Sequence, residues 1–294
     1  MDHKSALADI PSDVSAALTV RCNHKGLWHL AGHLALIATT GSLIAAQIPF
    51  WGMLLPLHGI LLTFLFALEH ETTHQTPFAD PCLNNAVGRI CGVVLLLPFE
   101  WFRYFHLAHH RHTNDPDRDP ELANPKPETK LQYALHLTGW RYWWGLSGIL
   151  ITNALGRANA PYLPARALPR IALEARVMLA LYALAAASLI FTSMLFWLWT
   201  IPMLLGQPFL RLYLLAEHGR CAPVANMFEN TRTTYTNRAI RFLAWNMPYH
   251  AEHHAAPQVP FHQLPTLNTH LREHLKETAN GYAAYTAENM RALK

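Results

Sequence analysis

Two long stretches of this chain carry no formal charge, and the polar stretches on either side of them carry all of it. Asp, Glu, Lys and Arg are absent from Gly26 to Leu68 and again from Val177 to Leu210. A charge at the centre of a spanning helix costs about 2.5–3.5 kcal/mol on the insertion scale, so gaps of this length predict membrane hairpins rather than core helices. In the first gap, Gln47-Ile-Pro49-Phe-Trp51-Gly52 separates two apolar runs. Each is long enough, at about 1.5 Å per residue, to cross roughly 30 Å of hydrocarbon. In the second, Thr192-Ser193 supplies the turn, with helices reaching outward to about Ile171 and His218. The expected fold is an all-α integral membrane protein with four transmembrane helices in two hairpins, about 27–69 and 171–216, under a cytoplasmic helical cap.

Two shorter apolar runs lie between the hairpins. Ile90 to Phe102 is too short to span and reads as interfacial or re-entrant. Trp140 to Leu155 opens with Trp140-Arg141-Tyr142-Trp143-Trp144, an aromatic and basic cluster of the headgroup level. If either crossed alone, the histidine motifs described below would fall on opposite sides of the bilayer. No internal repeat or low-complexity segment divides the chain. The expectation is one domain, 1–294, with a core of about 30–270, a polar arm of 1–25 and a tail of 271–294.

Composition strengthens this picture. The chain is 51% hydrophobic and 14% charged, against about a quarter charged in soluble domains. All 23 Lys and Arg residues lie outside the two gaps, so the positive-inside rule puts both hairpin tips outside and both termini in the cytoplasm, as in a bacterial inner membrane. The net charge of +4 therefore reports orientation, and no basic cluster with interleaved aromatics points to nucleic acid. Cys22, Cys82, Cys91 and Cys221 form no CxxC pair and are expected as reduced thiols. The segment before Arg21 is polar and lacks the apolar region of a secretory signal.

The chemistry is carried by three histidine runs, His70-Glu-Thr-Thr-His74, His106-Leu-Ala-His109-His110 and His250-Ala-Glu-His253-His254. Rings at i, i+3 and i+4 project from one face of a helix and can close on a metal. Eight imidazoles exceed what one ion takes, so the set points to two metals side by side. With His106 at 0°, His110 falls at about 40° and His109 at about −60° on an ideal helix. His106 and His110 can thus share one metal while His109 is aimed at its neighbour. The third run repeats this with His250, His254 and His253, and the first supplies the pair His70 and His74. His218, at the cytoplasmic end of a spanning helix, is proposed as the ninth ligand. His3, His24, His136, His262, His270 and His274 read as surface or satisfied core residues, and His29, His33 and His58 as polar contacts within the bundle. His112 points away from His110. Neutral imidazole suits iron, copper, zinc and nickel. A site fed from a bilayer favours an oxygen-activating iron pair, because saturated chains offer C–H bonds that no acid or base can break.

Over about residues 30–270 the chain resembles the membrane-bound fatty acid desaturase and hydroxylase superfamily. The resemblance rests on the three runs, on Thr113-Asn-Asp115-Pro-Asp117-Arg-Asp119-Pro-Glu121, and on Asn246-Met-Pro-Tyr249 leading into His250 with Val259-Pro260-Phe261 beyond. It implies four transmembrane helices, a cytoplasmic di-iron centre held by histidines, and O2-dependent oxidation of a lipid chain with electrons from a separate carrier. In related enzymes a lone histidine after the fourth helix completes the site, and His218 matches it. Many relatives of the acyl-CoA branch carry an asparagine one turn earlier, where this chain has Leu214.

Desaturation of a fatty acyl chain is the expected reaction, with electrons from an external ferredoxin, cytochrome or rubredoxin. Hydroxylation or ketolation of an acyl chain, alkane, sphingolipid or carotenoid is the alternative. A third motif that opens with His250 rather than Gln, without a fused haem-binding or rubredoxin-like domain, argues against the fused front-end desaturases. Two further readings follow from the motifs alone. His70-Glu71-Thr-Thr-His74 matches the HExxH of zinc proteases, which leaves both HxxHH runs unexplained, and a metal carrier would line a path across the membrane rather than one face. Asp115, Asp117, Asp119, Glu121, Glu217 and Glu252 are either caps and loop solvation or acceptors for the second N–H of metal-bound imidazoles. Arg111 and Arg118 are read as solvated or structurally paired.

Overall fold

The first uncharged stretch folds as a helical hairpin whose turn is built from strained backbone. In the computed structural model, which describes residues 1–294, two short helices, α1 (His3–Ala8) and α2 (Ser12–Leu18), lead into α3 (Asn23–Ala45). Near the start of α3, Gly26 admits close contact: a Cβ there would lie 2.2 Å from the Pro77 carbonyl oxygen. The chain reverses through Gln47 and Phe50, both at positive φ, and returns as α4 (Leu54–Thr63) and α5 (Leu65–Thr73).

Three helical stretches are long and apolar enough to cross a membrane: Asn23–Ala45, Trp51–Thr73 and Ala165–Ser188. The last contains α10, introduced below. Their outer faces carry Leu34, Leu43, Leu57, Leu181 and Leu184, all exposed. In water such a surface would bring aggregation, whereas against lipid tails it costs nothing.

α6 (Pro81–Leu95) starts at an Asp80 N-cap, whose carboxylate accepts from the Cys82 N–H at 2.8 Å. It folds back on α7 (Phe99–His112) at 100°, and the pair reads either as one broken span or as a re-entrant loop. Leu96 at φ 60° and Pro98 end α6. Gly92 lets the bend close, since a Cβ there would meet the Leu97 carbonyl at 2.4 Å. The apolar run read as too short to span is thus two helices meeting at a sharp corner.

α8 (Lys130–Leu137) opens on a Thr129/Gln132 capping box. α9 (Trp140–Ala154) precedes α10 (Leu168–Ser188) and α11 (Ile201–His218). A π-helical turn over Phe196–Thr200 leads into α11, and the turn between α10 and this stretch includes the Thr192-Ser193 site read from the sequence. α11, expected as the fourth span, is not among the three helices long and apolar enough to cross a membrane. The physical reason is its polar end, with Arg211 and Glu217 in its last two turns, and Pro208 within it.

Two contacts position the hairpins. At the turn end, Trp51 and Trp197 meet edge to face at 5.2 Å. Lower down, α4 and α11 touch backbone to backbone. A Cβ on Gly59 would sit 2.1 Å from the Pro202 carbonyl oxygen, and one on Gly206 would sit 2.2 Å from that of Gly59. Small residues allow such approach where lipid supplies no hydrophobic drive.

The remaining chain wraps the opposite end. α12 (Met227–Asn230), α13 (Arg238–Leu243), α14 (His250–Ala255), α15 (Leu264–Leu271) and α16 (Tyr282–Arg291) surround a two-residue parallel ladder, β1 (Thr233–Thr234) with β2 (Thr278–Ala279). The main apolar core, including Trp245, Phe78, Phe228 and Leu264, lies under these helices.

Candidate metal centre

All nine histidines singled out in the sequence converge at this end of the bundle. His70 is in the last turn of α5 and His74 is its C-cap; His106, His109 and His110 ride on α7; His218 ends α11; His250, His253 and His254 lie on α14. α11 stops at His218, where Gly219 turns to extended backbone and passes under Tyr285; a Cβ there would lie 2.0 Å from the phenol oxygen. α14 is held from behind. Its Glu252 accepts a hydrogen bond from the Thr233 hydroxyl at 2.5 Å and one from the Asn268 amide. Burial raises the Glu252 carboxyl above the usual carboxylate range.

The rings separate into two groups. His70, His74, His106, His110 and His253 each offer a nitrogen within 4.8 Å of the others, as do His109, His218 and His254. His250 joins the second group, its Nε2 lying 3.1 Å from His218 Nε2. His110 and His254 stack at 3.9 Å with planes 6° apart, one from each group. The helical angles therefore divide each HxxHH run as the sequence anticipates. Eight of the nine residues are buried; His74 is half-buried.

The far nitrogens fix how the near ones point. His109 Nδ1 lies 2.9 Å from Asp119 Oδ1, and His218 Nδ1 lies 3.1 Å from the Asn230 carbonyl. Both acceptors require N–H at Nδ1, so each Nε2 carries a lone pair. The Thr113 hydroxyl donates to the His109 carbonyl at 2.9 Å, which leaves its oxygen to accept from His254 Nδ1 at 3.1 Å. His250 Nδ1 faces Glu217 at 3.5 Å and His253 Nδ1 faces Glu71 at 3.4 Å. The result is a set of converging lone pairs. Nε2 of His253 and of His254, and both ring nitrogens of His70 and His110, are buried without a hydrogen-bond partner. Buried polar atoms are normally paired, and a cation between the rings is the partner this donor set fits. Five and four imidazoles suit two first-row transition metals, iron among them.

The electrostatics agree with neutral ligands. Burial, then repulsion from the neighbouring rings, holds His250, His253 and His254 well below the ordinary imidazole pKa. His109 is the exception. Burial opposes its protonation, but Glu121 and Asp119 outweigh burial and raise its pKa. Asp119 moves the other way: burial works against its charge, and the His109 ring overrides that to lower its pKa.

A family model described as fatty acid desaturase matches residues 46–286. The chain belongs to the fatty acid desaturase family. Among its curated relatives, an sn-1 oleoyl-lipid 12-desaturase of Picosynechococcus sp. is 35% identical over 98 residues, covering 32% of this chain and 28% of the relative. An oleate hydroxylase of Claviceps purpurea is 27% identical over 125 residues, 36% of this chain and 26% of its own. A chloroplastic, ferredoxin-named sn-2 acyl-lipid omega-3 desaturase of Arabidopsis thaliana is 28% identical over 126 residues, 40% of this chain and 28% of its own. Each match spans less than a third of the relative's length.

The carboxylates divide as their surroundings dictate. Asp119 and Glu217 face ring nitrogens, and Glu121 reaches to 3.7 Å of His109. Asp115 instead accepts from Arg118 and caps its own turn, Asp117 is exposed, and Glu252 is turned away from the rings. Arg111 is exposed. His33 and His58 bond to the carbonyls of Leu61 and Leu198 within the bundle, and His29 to that of Phe242. Sequence reasoning did not assign Asn230, Thr113 or Lys126, whose ammonium donates to the His218 carbonyl at 2.7 Å. No periodicity marks them, since Thr113 and Lys126 act from a turn and a loop and Asn230 from the end of the four-residue α12, all brought in by tertiary packing. Glu71 was read only as the glutamate of an HExxH pattern, although it lies one residue from His70.

Proposed function

We propose that the protein is an O2-dependent lipid desaturase that introduces a double bond into a fatty acyl chain. The observation that carries this reading is the inward convergence of nine imidazoles in groups of five and four, with lone pairs facing each other, in a fatty acid desaturase family member. His70, His74, His106, His110 and His253 would hold one iron, and His109, His218, His250 and His254 the other. The two ions would supply O2 activation and the abstraction of hydrogen from adjacent methylenes.

The protein's own groups act on the ligands. Asp119, the Asn230 carbonyl and Thr113 keep protons on the outer nitrogens of His109, His218 and His254, and Glu217 and Glu71 stand 3.5 Å and 3.4 Å from those of His250 and His253. This fixes tautomer and ring orientation, and raises ligand basicity where the partner is a carboxylate. Burial of the rings excludes bulk water from the reacting carbon. The paired turns at Trp51 and Trp197, with the histidines at the opposite end, support a cytoplasmic site and outward tips under the positive-inside rule. We read residues 1–294 as one unit in a bacterial inner membrane, with an external electron carrier of ferredoxin, cytochrome or rubredoxin type. The omega-3 relative, named for ferredoxin, supports such a partner.

The oleate hydroxylase relative favours keeping hydroxylation as a second reading. The zinc protease reading accounts for His70 and His74 alone and leaves both HxxHH runs unused. Glu71 Oε2 accepts from the Thr76 hydroxyl at 3.0 Å and the Phe261 N–H at 3.2 Å, and Oε1 faces His253 at 3.4 Å. The deciding experiment supplies iron-loaded protein with a reductase system and membrane lipids and weighs the product. Loss of two hydrogens is expected. Gain of one oxygen would move the assignment to hydroxylation, and one zinc per chain with proteolysis would overturn it.

A further inference from the structure

Gln207, Arg211 and His218 stand at i, i+4 and i+11 on α11 and so fall within about 40° of one another on an ideal helix. His218 ends this stripe among the clustered rings. Arg211 lies seven residues earlier, about 10 Å along the helix. Between them Leu214 and Leu215 offer only hydrocarbon.

Both polar residues bury atoms that have no hydrogen-bond partner in the protein. Gln207 is fully buried, and neither its Nε2 nor its Oε1 has a hydrogen bond. Arg211 buries Nε and Nη2 without a partner, and none of the ion pairs closer than 4 Å includes it. Both are nevertheless held in place. The Arg211 guanidinium lies 4.2 Å over the Tyr142 ring. Gly139, at φ 68°, closes on Gln207 so tightly that a Cβ would come within 3.2 Å of its side chain. Amide and guanidinium groups buried without hydrogen bonds are costly, so pinning them there calls for a ligand that pairs with them.

We propose that Arg211 and Gln207 bind the oxygen-bearing end of the lipid substrate, a carboxylate or an ester carbonyl, with its chain running along α11 toward His218. The guanidinium only donates, and the amide both donates and accepts. An oxygen acceptor at a chain end matches that set, and a carboxylate matches it best. The inference rests on the lipid-oxidase reading and adds to it a fixed distance between the anchored end and the oxidised carbon.

The test uses the full chain in detergent, with iron content measured on every sample, and three probes of equal chain length: oleic acid, methyl oleate and 1-octadecene. Wild-type protein is expected to bind oleic acid most tightly and octadecene least. Arg211→Gln should weaken oleic acid about tenfold to a hundredfold, the range of a charge-assisted hydrogen bond. Arg211→Lys should restore part of it, Gln207→Leu should weaken both oxygenated probes, and none should change octadecene binding or iron. Equal binding of oleic acid and octadecene by the wild type, or of oleic acid by wild type and an iron-replete Arg211→Gln, would overturn the proposal. If a variant loses its iron, the three-probe comparison on the wild type still decides. Failure of the lipid-oxidase reading would show separately, as protein without iron and without oxidised product from any probe.

Discussion

The Nε2 atoms of His109 and His218 lie 3.2 Å apart while their Nδ1 atoms are committed to Asp119 and to the Asn230 carbonyl. Two lone pairs at that separation repel unless a proton or a metal ion lies between them, and metal content tells the two apart. Metal analysis of protein purified without chelator should give two irons per chain. His218→Ala should remove one of them preferentially, and His74→Ala should weaken the other. Equal loss of both metals in each variant, with the fold retained, would contradict the division into two groups.

Asp119 and Asp117 are two residues apart and should behave in opposite ways. Asp119→Asn removes the carboxylate that orients His109, and loss of such a partner typically costs about 10–100-fold in metal affinity or activity. Asp117→Asn changes an exposed side chain and should leave both within error. Iron titration of the two variants side by side makes the comparison.

Glu71→Gln separates orientation from base catalysis. Its amide oxygen can still accept from His253 Nδ1, so iron should be retained and turnover should fall by about tenfold rather than vanish. A fall to background with full iron occupancy would give Glu71 a direct chemical role that its present hydrogen bonds do not provide.

The Gly59–Gly206 contact should be as intolerant as any ligand, although neither residue touches the centre. Gly59→Leu or Gly206→Leu places side-chain atoms where backbone now lies and pushes α4 from α11, moving His70 and His74 away from His218. Loss of iron with retained helicity is the expected result, read by metal content and far-UV circular dichroism. Gly148, whose Cβ would meet nothing, is the control: Gly148→Ala should retain both metals.

Much of the centre was legible because its ligands come in helical registers. The i, i+3, i+4 spacing within His106–His110 and His250–His254 fixes which rings diverge, and the uncharged gaps bring the motifs to one end. The outer partners were legible only as a pool: Asp119 and Glu217 were among six carboxylates named as caps or imidazole acceptors, and the sequence did not choose between them. Asn230 acts through a backbone carbonyl, which any residue type supplies, and Thr113 acts through the hydroxyl left free by its own back-bond to His109. The corner at Leu96–Pro98 was legible only in outline, as a run too short to span and read as interfacial or re-entrant. Its position depends on the close approach at Gly92, which no periodicity marks.

The nine rings belong to four separate helices, and the last of them, His254, follows His70 by most of the chain. During synthesis neither group can close until both hairpins are in place and α14 has left the ribosome. His253 belongs to the first group and His254 to the second, so no partial chain offers either complete set. On the proposed assignment, a chain stalled before α14 would keep four imidazoles of the first group but only His109 and His218 of the second, so the second ion would be the one that waits for α14.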